Sequence, residues 1–161
     1  MHIVLITGIS GSGKSVALNV LEDTGYYCVD NLPPALLPSL VQTLLDEGTP
    51  QLAVAVDARS AESLASLPHN VALLRDQGHD VKVMFLTATT HSLVARFSET
   101  RRSHPLSHEL RPNQNPASRR TLIECISEER ERLSAIEQLG HVIDTSELSA
   151  NKLRAWIKDI V

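Results

Sequence analysis

Eight residues close to the start of the chain have the types and order needed to hold a phosphate chain: Gly8-Ile9-Ser10-Gly11-Ser12-Gly13-Lys14-Ser15. The string fits G-x-x-x-x-G-K-[ST]. Its three glycines admit backbone torsions that other residues resist, so successive N–H groups can converge into an anion-binding nest. A helix opening near Lys14 adds the positive end of its dipole. Lys14 brings a mobile positive charge to the β- and γ-phosphates of a nucleoside triphosphate such as ATP or GTP. Ser15 offers a hydroxyl to Mg²⁺, whose shell is completed by water and phosphate oxygens.

Such a site needs a second acidic group at the end of a neighbouring strand. Asp57 follows Leu-Ala-Val-Ala-Val56, an apolar run ending in a carboxylate, and is the expected metal ligand beside Ser15. Asp30, after Cys28-Val29, is the alternative, with a turn-forming role competing for it. Charge for a transferring phosphoryl group would come from Arg101 and Arg102, placed at the entrance of a proline-containing segment from Arg101 to Ala117. This segment reads as a long loop or lid. Arg96 is either a third lid cation or a charge at a helix end. His104 and His108 have i, i+4 spacing, but Pro105 between them argues against a helical metal pair. Glu128, Glu129 and Glu131, interleaved with Arg130 and Arg132, read as a solvated, ion-paired helix face.

The rest of the chain alternates apolar runs with helical periodicity. Strands are expected at Ile3–Ile6, Tyr26–Val29, Leu52–Val56, Val81–Leu86 and Val142–Ile143. Helices are expected from Lys14 to Thr24, from Pro38 to Leu45, from Ala61 to Gln77 with a break at Pro68, and from Thr90 to Thr100. Two more are expected from Ser118 to Leu139 and from Ser149 to Ile160, the last with Leu153, Trp156, Ile157 and Ile160 facing inward. Five strands separated by helices predict an α/β fold: a parallel five-stranded sheet with helices on both faces, the three-layer phosphate-loop architecture. With the loop at the amino terminus and an arginine-rich lid after the fourth strand, the layout is closest to small-molecule and nucleotide kinases. A kinase acting on a nucleotide or a sugar is therefore the alternative to simple nucleotide hydrolysis.

The chain has 161 residues and a net charge of −4, with 42% hydrophobic and 21% charged residues. That composition excludes wholesale disorder and argues against a globally basic nucleic-acid binder. The charge is uneven. Residues 96 to 120 hold six arginines against two glutamates, a local +4, while the remainder carries −8. Aromatic residues make up 3%, too few for a base-stacking platform. Cys28 and Cys125 form no disulfide framework, and Cys28 is expected at a buried strand position. No apolar run approaches the ~20 residues of a membrane span and no leader pattern precedes His2, so a cytoplasmic location without membrane contact is expected.

Several strings occur in the order seen in the RapZ/YvcJ family of bacterial nucleotide-binding proteins, also described as RNase adapter proteins, and the chain resembles that family over essentially its whole length. They are the loop and its helix to Leu18, Leu21-Glu-Asp-Thr-Gly-Tyr-Tyr-Cys-Val-Asp-Asn-Leu-Pro33, Asp57-Ala58-Arg59, Arg96-Phe-Ser-Glu-Thr-Arg-Arg-Ser-His-Pro-Leu106 and Ile143-Asp-Thr-Ser146. The resemblance implies ATP and GTP binding with slow hydrolysis. It places an ATP-binding stretch on Gly8 to Ser15 and a second, GTP-assigned stretch on Asp57-Ala58-Arg59-Ser60, where Ser60 stands in place of the Asn of many relatives. It also implies that residues 1–161 form an amino-terminal domain. The complete protein would carry a further domain, be a homo-oligomer, and direct a regulatory RNA to an endonuclease.

Overall fold

The computed structural model describes residues 1–56, 64–100, 103–108 and 121–161. Five parallel strands form one sheet in the order β2-β3-β1-β4-β5: β1 (His2–Gly8), β2 (Tyr27–Leu32), β3 (Gln51–Val56), β4 (Asp80–Thr87) and β5 (His141–Asp144). The chain passes from β1 to one side of the sheet and returns to build the other, so the end of β1 lies at the topological switch point where open α/β sheets bind ligands.

The alternation of side chains along β1 explains the layers. Ile3 and Leu5 face one core, shared with α2 (Leu37–Asp46), α3 (Leu67–Asp76), α4 (Thr90–Thr100) and α5 (Leu122–Glu137). Val4 and Ile6 face the other, shared with α1 (Lys14–Asp23) and α6 (Ala150–Ile160). The expected three-layer α/β architecture is therefore the one observed, with cores built mostly of aliphatic side chains and Phe85 among them. Helix starts follow local chemistry. Thr121 caps α5 in a reciprocal box with Glu124, and Ser149 accepts the Lys152 N–H at 3.2 Å to open α6.

Four local expectations change. Strand β2 runs on to Leu32, because after an irregularity between Val29 and Leu32 the edge strand pairs again with Val56. Asp30 and Asn31 are carried in that irregularity, Asn31 with φ of 53°. The break expected at Pro68 falls just before it, at Ser66, where helical residues 64–65 give way to α3, and Pro68 sits in the first turn of α3, where the N–H it forfeits has no helical partner anyway. Trp156 is half exposed. Helix α6 lies at the margin of the sheet and buries only the narrow stripe of Leu153 and Ile157, leaving Trp156 on its flank. Cys28 is only partly buried. Burial and then the nearby Glu22 push its thiol up to about 11, so it is unreactive near neutral pH.

Tight packing meets the backbone at Gly140, just before β5, where a Cβ would lie 2.1 Å from the Val83 carbonyl oxygen. At Gly48 a Cβ would meet nothing within 4 Å, although φ is +78°. Gly140→Ala should therefore destabilise by about 3 kcal/mol or more through overpacking against unyielding backbone, and Gly48→Ala by about 1 kcal/mol through torsion alone. Urea denaturation of the two variants checks the order.

Candidate functional site

The loop from Gly8 to Ser15 leaves β1 and turns into α1 at the carboxyl edge of the sheet. Gly8, with φ of 138°, lies against β4 so closely that a Cβ would sit 2.1 Å from the Leu86 carbonyl oxygen. The Ile9 N–H donates to that same oxygen at 3.0 Å. Ile9 is buried in the core, and the Ser12 N–H and hydroxyl both return to the Ile9 carbonyl, at 3.1 and 2.5 Å. Gly13, φ 110°, occupies the position before the first turn of α1. Lys14 folds back over the loop and donates from Nζ to the Gly8 carbonyl at 2.8 Å. A phosphate chain seated on the loop can draw that ammonium away by charge. Ser15 is exposed at the start of α1.

A cleft of about 600 Å³ opens over this loop. Its walls include Asp30 and Asn31 from the end of β2, Arg96 and Glu99 from α4, Ser103 and Pro105 beyond it, and Thr145 after β5. The oxygen donors of Ser15 and Asp30 share this cleft, and hydroxyl and carboxylate oxygens suit a hard cation such as Mg²⁺. Asp30 also accepts the Asn31 N–H at 2.8 Å, a local turn interaction. Asp57, Ala58, Arg59 and Ser60 lie outside the described residues, as do Arg101 and Arg102.

Arg96 is not a solvated charge at a helix end. Its guanidinium donates to the Gly11 carbonyl at 3.1 Å, to the Thr145 hydroxyl at 3.0 Å and to the Thr145 carbonyl. The Thr145 hydroxyl in turn donates to the Ser12 carbonyl at 2.7 Å. Arg96 and Thr145 together tie the outer bend of the loop to the residues after β5. Next to Thr145, Asp144 is held below the usual carboxylate range by hydrogen bonds from the Ser146 hydroxyl and N–H, with Arg96 and Arg130 adding their charge.

The charged face expected on α5 is only partly solvated. Glu128 and Arg132 do form an i, i+4 pair at 2.9 Å, but Arg130 turns inward to the Thr87 hydroxyl at 3.2 Å and the Ala88 carbonyl at 2.5 Å. Glu129 is 3% exposed and bonds the loop residue Ser10 and the buried His104. Its position falls on the stripe Leu122, Ile126, Glu129, Leu133, Ile136, where a lone carboxylate among apolar residues is the signal that marks it as buried. Burial pushes its pKa up. The His104 hydrogen bond, the charge of Lys14 and the Ser10 hydroxyl outweigh this and leave it below its ordinary 4.5.

The comparisons with known proteins agree with this geometry. The model of the RapZ-like N-terminal domain matches residues 1–161. A nucleotide-binding protein of Herminiimonas arsenicoxydans is 66% identical over the whole chain, which covers 56% of that relative. The chain thus spans just over half the length of the curated relatives it matches. Among solved structures, the Deinococcus radiodurans tunicamycin resistance protein superposes with a TM-score of 0.63 at 18% identity, covering 99% of this chain and 95% of that one. Shikimate kinase of Bacteroides thetaiotaomicron gives 0.57 at 12% identity, with 98% and 95% covered. At such identities the two structures speak for the fold alone, a parallel α/β sheet covered by helices.

The ionised Glu129 binds fewer protons in the folded state than in the unfolded one, so its contribution to stability is complete above about pH 4.5 and is lost as the pH falls through its depressed native value. Asp144 acts in the same direction. Urea denaturation should show wild-type stability falling from about pH 5 to about pH 3, and Glu129→Gln should fall less steeply because one of these carboxylates has been removed.

Proposed function

The chain belongs to the family of RapZ-like N-terminal domains, and on that premise we propose that residues 1–161 form a Mg²⁺-dependent ATP- and GTP-binding domain with slow nucleotide hydrolysis. The observation that carries the reading is the loop itself. A glycine-rich turn at the switch point of a parallel sheet opens α1 and holds a lysine over its own carbonyl, beneath a cleft large enough for more than phosphate. The high identity to proteins named as nucleotide-binding supports it.

In this reading the loop amides and Lys14 hold the phosphates, Lys14 exchanging the Gly8 carbonyl for phosphate oxygens. Ser15 and an acidic group, Asp57 or the cleft-lining Asp30, would hold Mg²⁺, which on binding would neutralise charge on the phosphates. Arg96 keeps the loop in shape through Gly11 and Thr145, and Arg101 and Arg102 would neutralise charge from the following segment. Asp57, Ala58, Arg59 and Ser60 form a second nucleotide-contacting stretch.

The domain would act as the regulatory half of a cytoplasmic, oligomeric RNA-binding adapter that engages an endonuclease. The cleft's extension past the loop to Asp30, Asn31 and Glu99 favours one second reading, a kinase with room for an acceptor nucleotide or sugar.

Lys14→Ala should weaken Mg·ATP and Mg·GTP binding at least about tenfold, the equivalent of ~1.4 kcal/mol, in titration calorimetry. Unchanged affinity would overturn the site. Labelled phosphate appearing on a sugar or nucleotide, and not in water, would select the kinase reading.

A further inference from the structure

The phosphate loop is held from behind by a residue 119 positions further along the chain. Glu129 Oε1 accepts the Ser10 backbone N–H at 2.7 Å, and Oε2 accepts the Ser10 hydroxyl at 2.6 Å. The third donor is His104. Its Nδ1 accepts the Leu106 N–H at 3.1 Å, so that nitrogen carries no proton. The proton of the neutral ring is therefore on Nε2, which donates to Glu129 Oε1 at 3.2 Å. Both side chains are almost wholly enclosed, 0% and 3% exposed. An ionised carboxylate is tolerated at such burial only when donors satisfy its oxygens. Here two of the three donors come from one residue of the loop, and the third from the segment that leaves α4.

This arrangement commits both donors of Ser10, a residue of the cleft lining, to Glu129 and fixes the bend that precedes Gly11. Phe97 continues the same wall. Its ring lies 5.4 Å from that of His104 between centroids, and a Cβ on Gly11 would come within 3.1 Å of its edge. On the outer side, Ser103 and Pro105, which flank His104, line the cleft. A single buried carboxylate thus spans the inner wall of the phosphate loop and the segment on the cleft's rim.

We propose that Glu129 is a positioning residue for nucleotide binding, setting the bend of the phosphate loop through Ser10 and coupling it through His104 to the segment that carries Ser103 and Pro105. The inference rests on the phosphate-loop reading above. A role confined to filling the core would make any substitution of suitable volume equivalent. A positioning role requires an oxygen acceptor at that point, and it requires His104 to act through it.

Three variants of this chain separate these roles when Mg·ATP affinity is measured by calorimetry, with folding monitored by thermal denaturation. Glu129→Leu keeps the volume but offers no acceptor, and should weaken binding about tenfold or more, the scale of a lost charge-assisted hydrogen-bond pair. Glu129→Gln keeps an amide oxygen for the Ser10 N–H and can donate to the Ser10 hydroxyl oxygen, and should stay within about threefold of wild type. His104→Asn, too short to reach Glu129, should weaken binding about threefold in the wild-type background and have no effect in the Glu129→Leu background. If Glu129→Leu does not fold, Ser10→Ala, which removes only the hydroxyl arm, should still show about a threefold loss. Glu131→Gln, on the exposed face of the same helix, should bind as wild type.

A wild type that binds neither ATP nor GTP overturns the phosphate-loop reading and this inference with it. A wild type that binds normally, with Glu129→Leu and Glu129→Gln equally affected or Ser10→Ala unchanged, overturns the inference alone. So does a His104→Asn effect that persists undiminished without the carboxylate.

Discussion

The turn at Gly8 is the constraint around which the rest of the molecule is arranged. Strand β1 ends in backbone contact with Leu86 of β4, so near that no side chain fits. The next residues must reverse into α1 without leaving the sheet's edge. That requirement explains why β1 is central, paired with β3 on one side and β4 on the other. It also explains why Ile9, in the middle of a polar loop, is a core residue. Once the turn is made, its carbonyls and amides need partners, some within the loop and others from distant parts of the chain.

Three anchors do this from different directions. Lys14 folds over the Gly8 carbonyl from inside the loop. Arg96 and Thr145 grip the Gly11 and Ser12 carbonyls from the side of β4 and β5. Glu129 takes the Ser10 donors from behind. At these anchors carbonyls are met by cations or a hydroxyl, and the Ser10 amide and hydroxyl donors by an anion. The loop is thereby shaped in advance, which lowers the ordering cost of binding an anion.

The same anchors put charges of both signs close to one another. Arg96 lines the cleft, while a buried negative charge, Glu129, sits behind the loop. Ionisation of that carboxylate is sustained by hydrogen bonds and by Lys14. Lys14 itself lines the cleft where an external anion would be drawn.

Much of this was legible in the sequence. The spacing of three glycines, a lysine and a serine after a β-branched run dictates the loop, because few other residues can adopt those torsions next to a helix start. Alternation of apolar runs and helical periods dictates a parallel sheet with two covered faces. Spacing marks Glu129 as inward, since it stands on the apolar stripe of α5, but it does not say what Glu129 meets. Arg130, Arg96 and His104 have the look of surface residues, since side-chain type reports solubility and not direction. Only the docking of α4 and α5 onto the sheet turns them toward the loop, through contacts between residues 85 and 119 positions apart. Local chemistry determined the shape of the phosphate loop, and long-range packing decided what completes its hold, because the loop's own atoms satisfy only part of the polar groups that its turn leaves exposed.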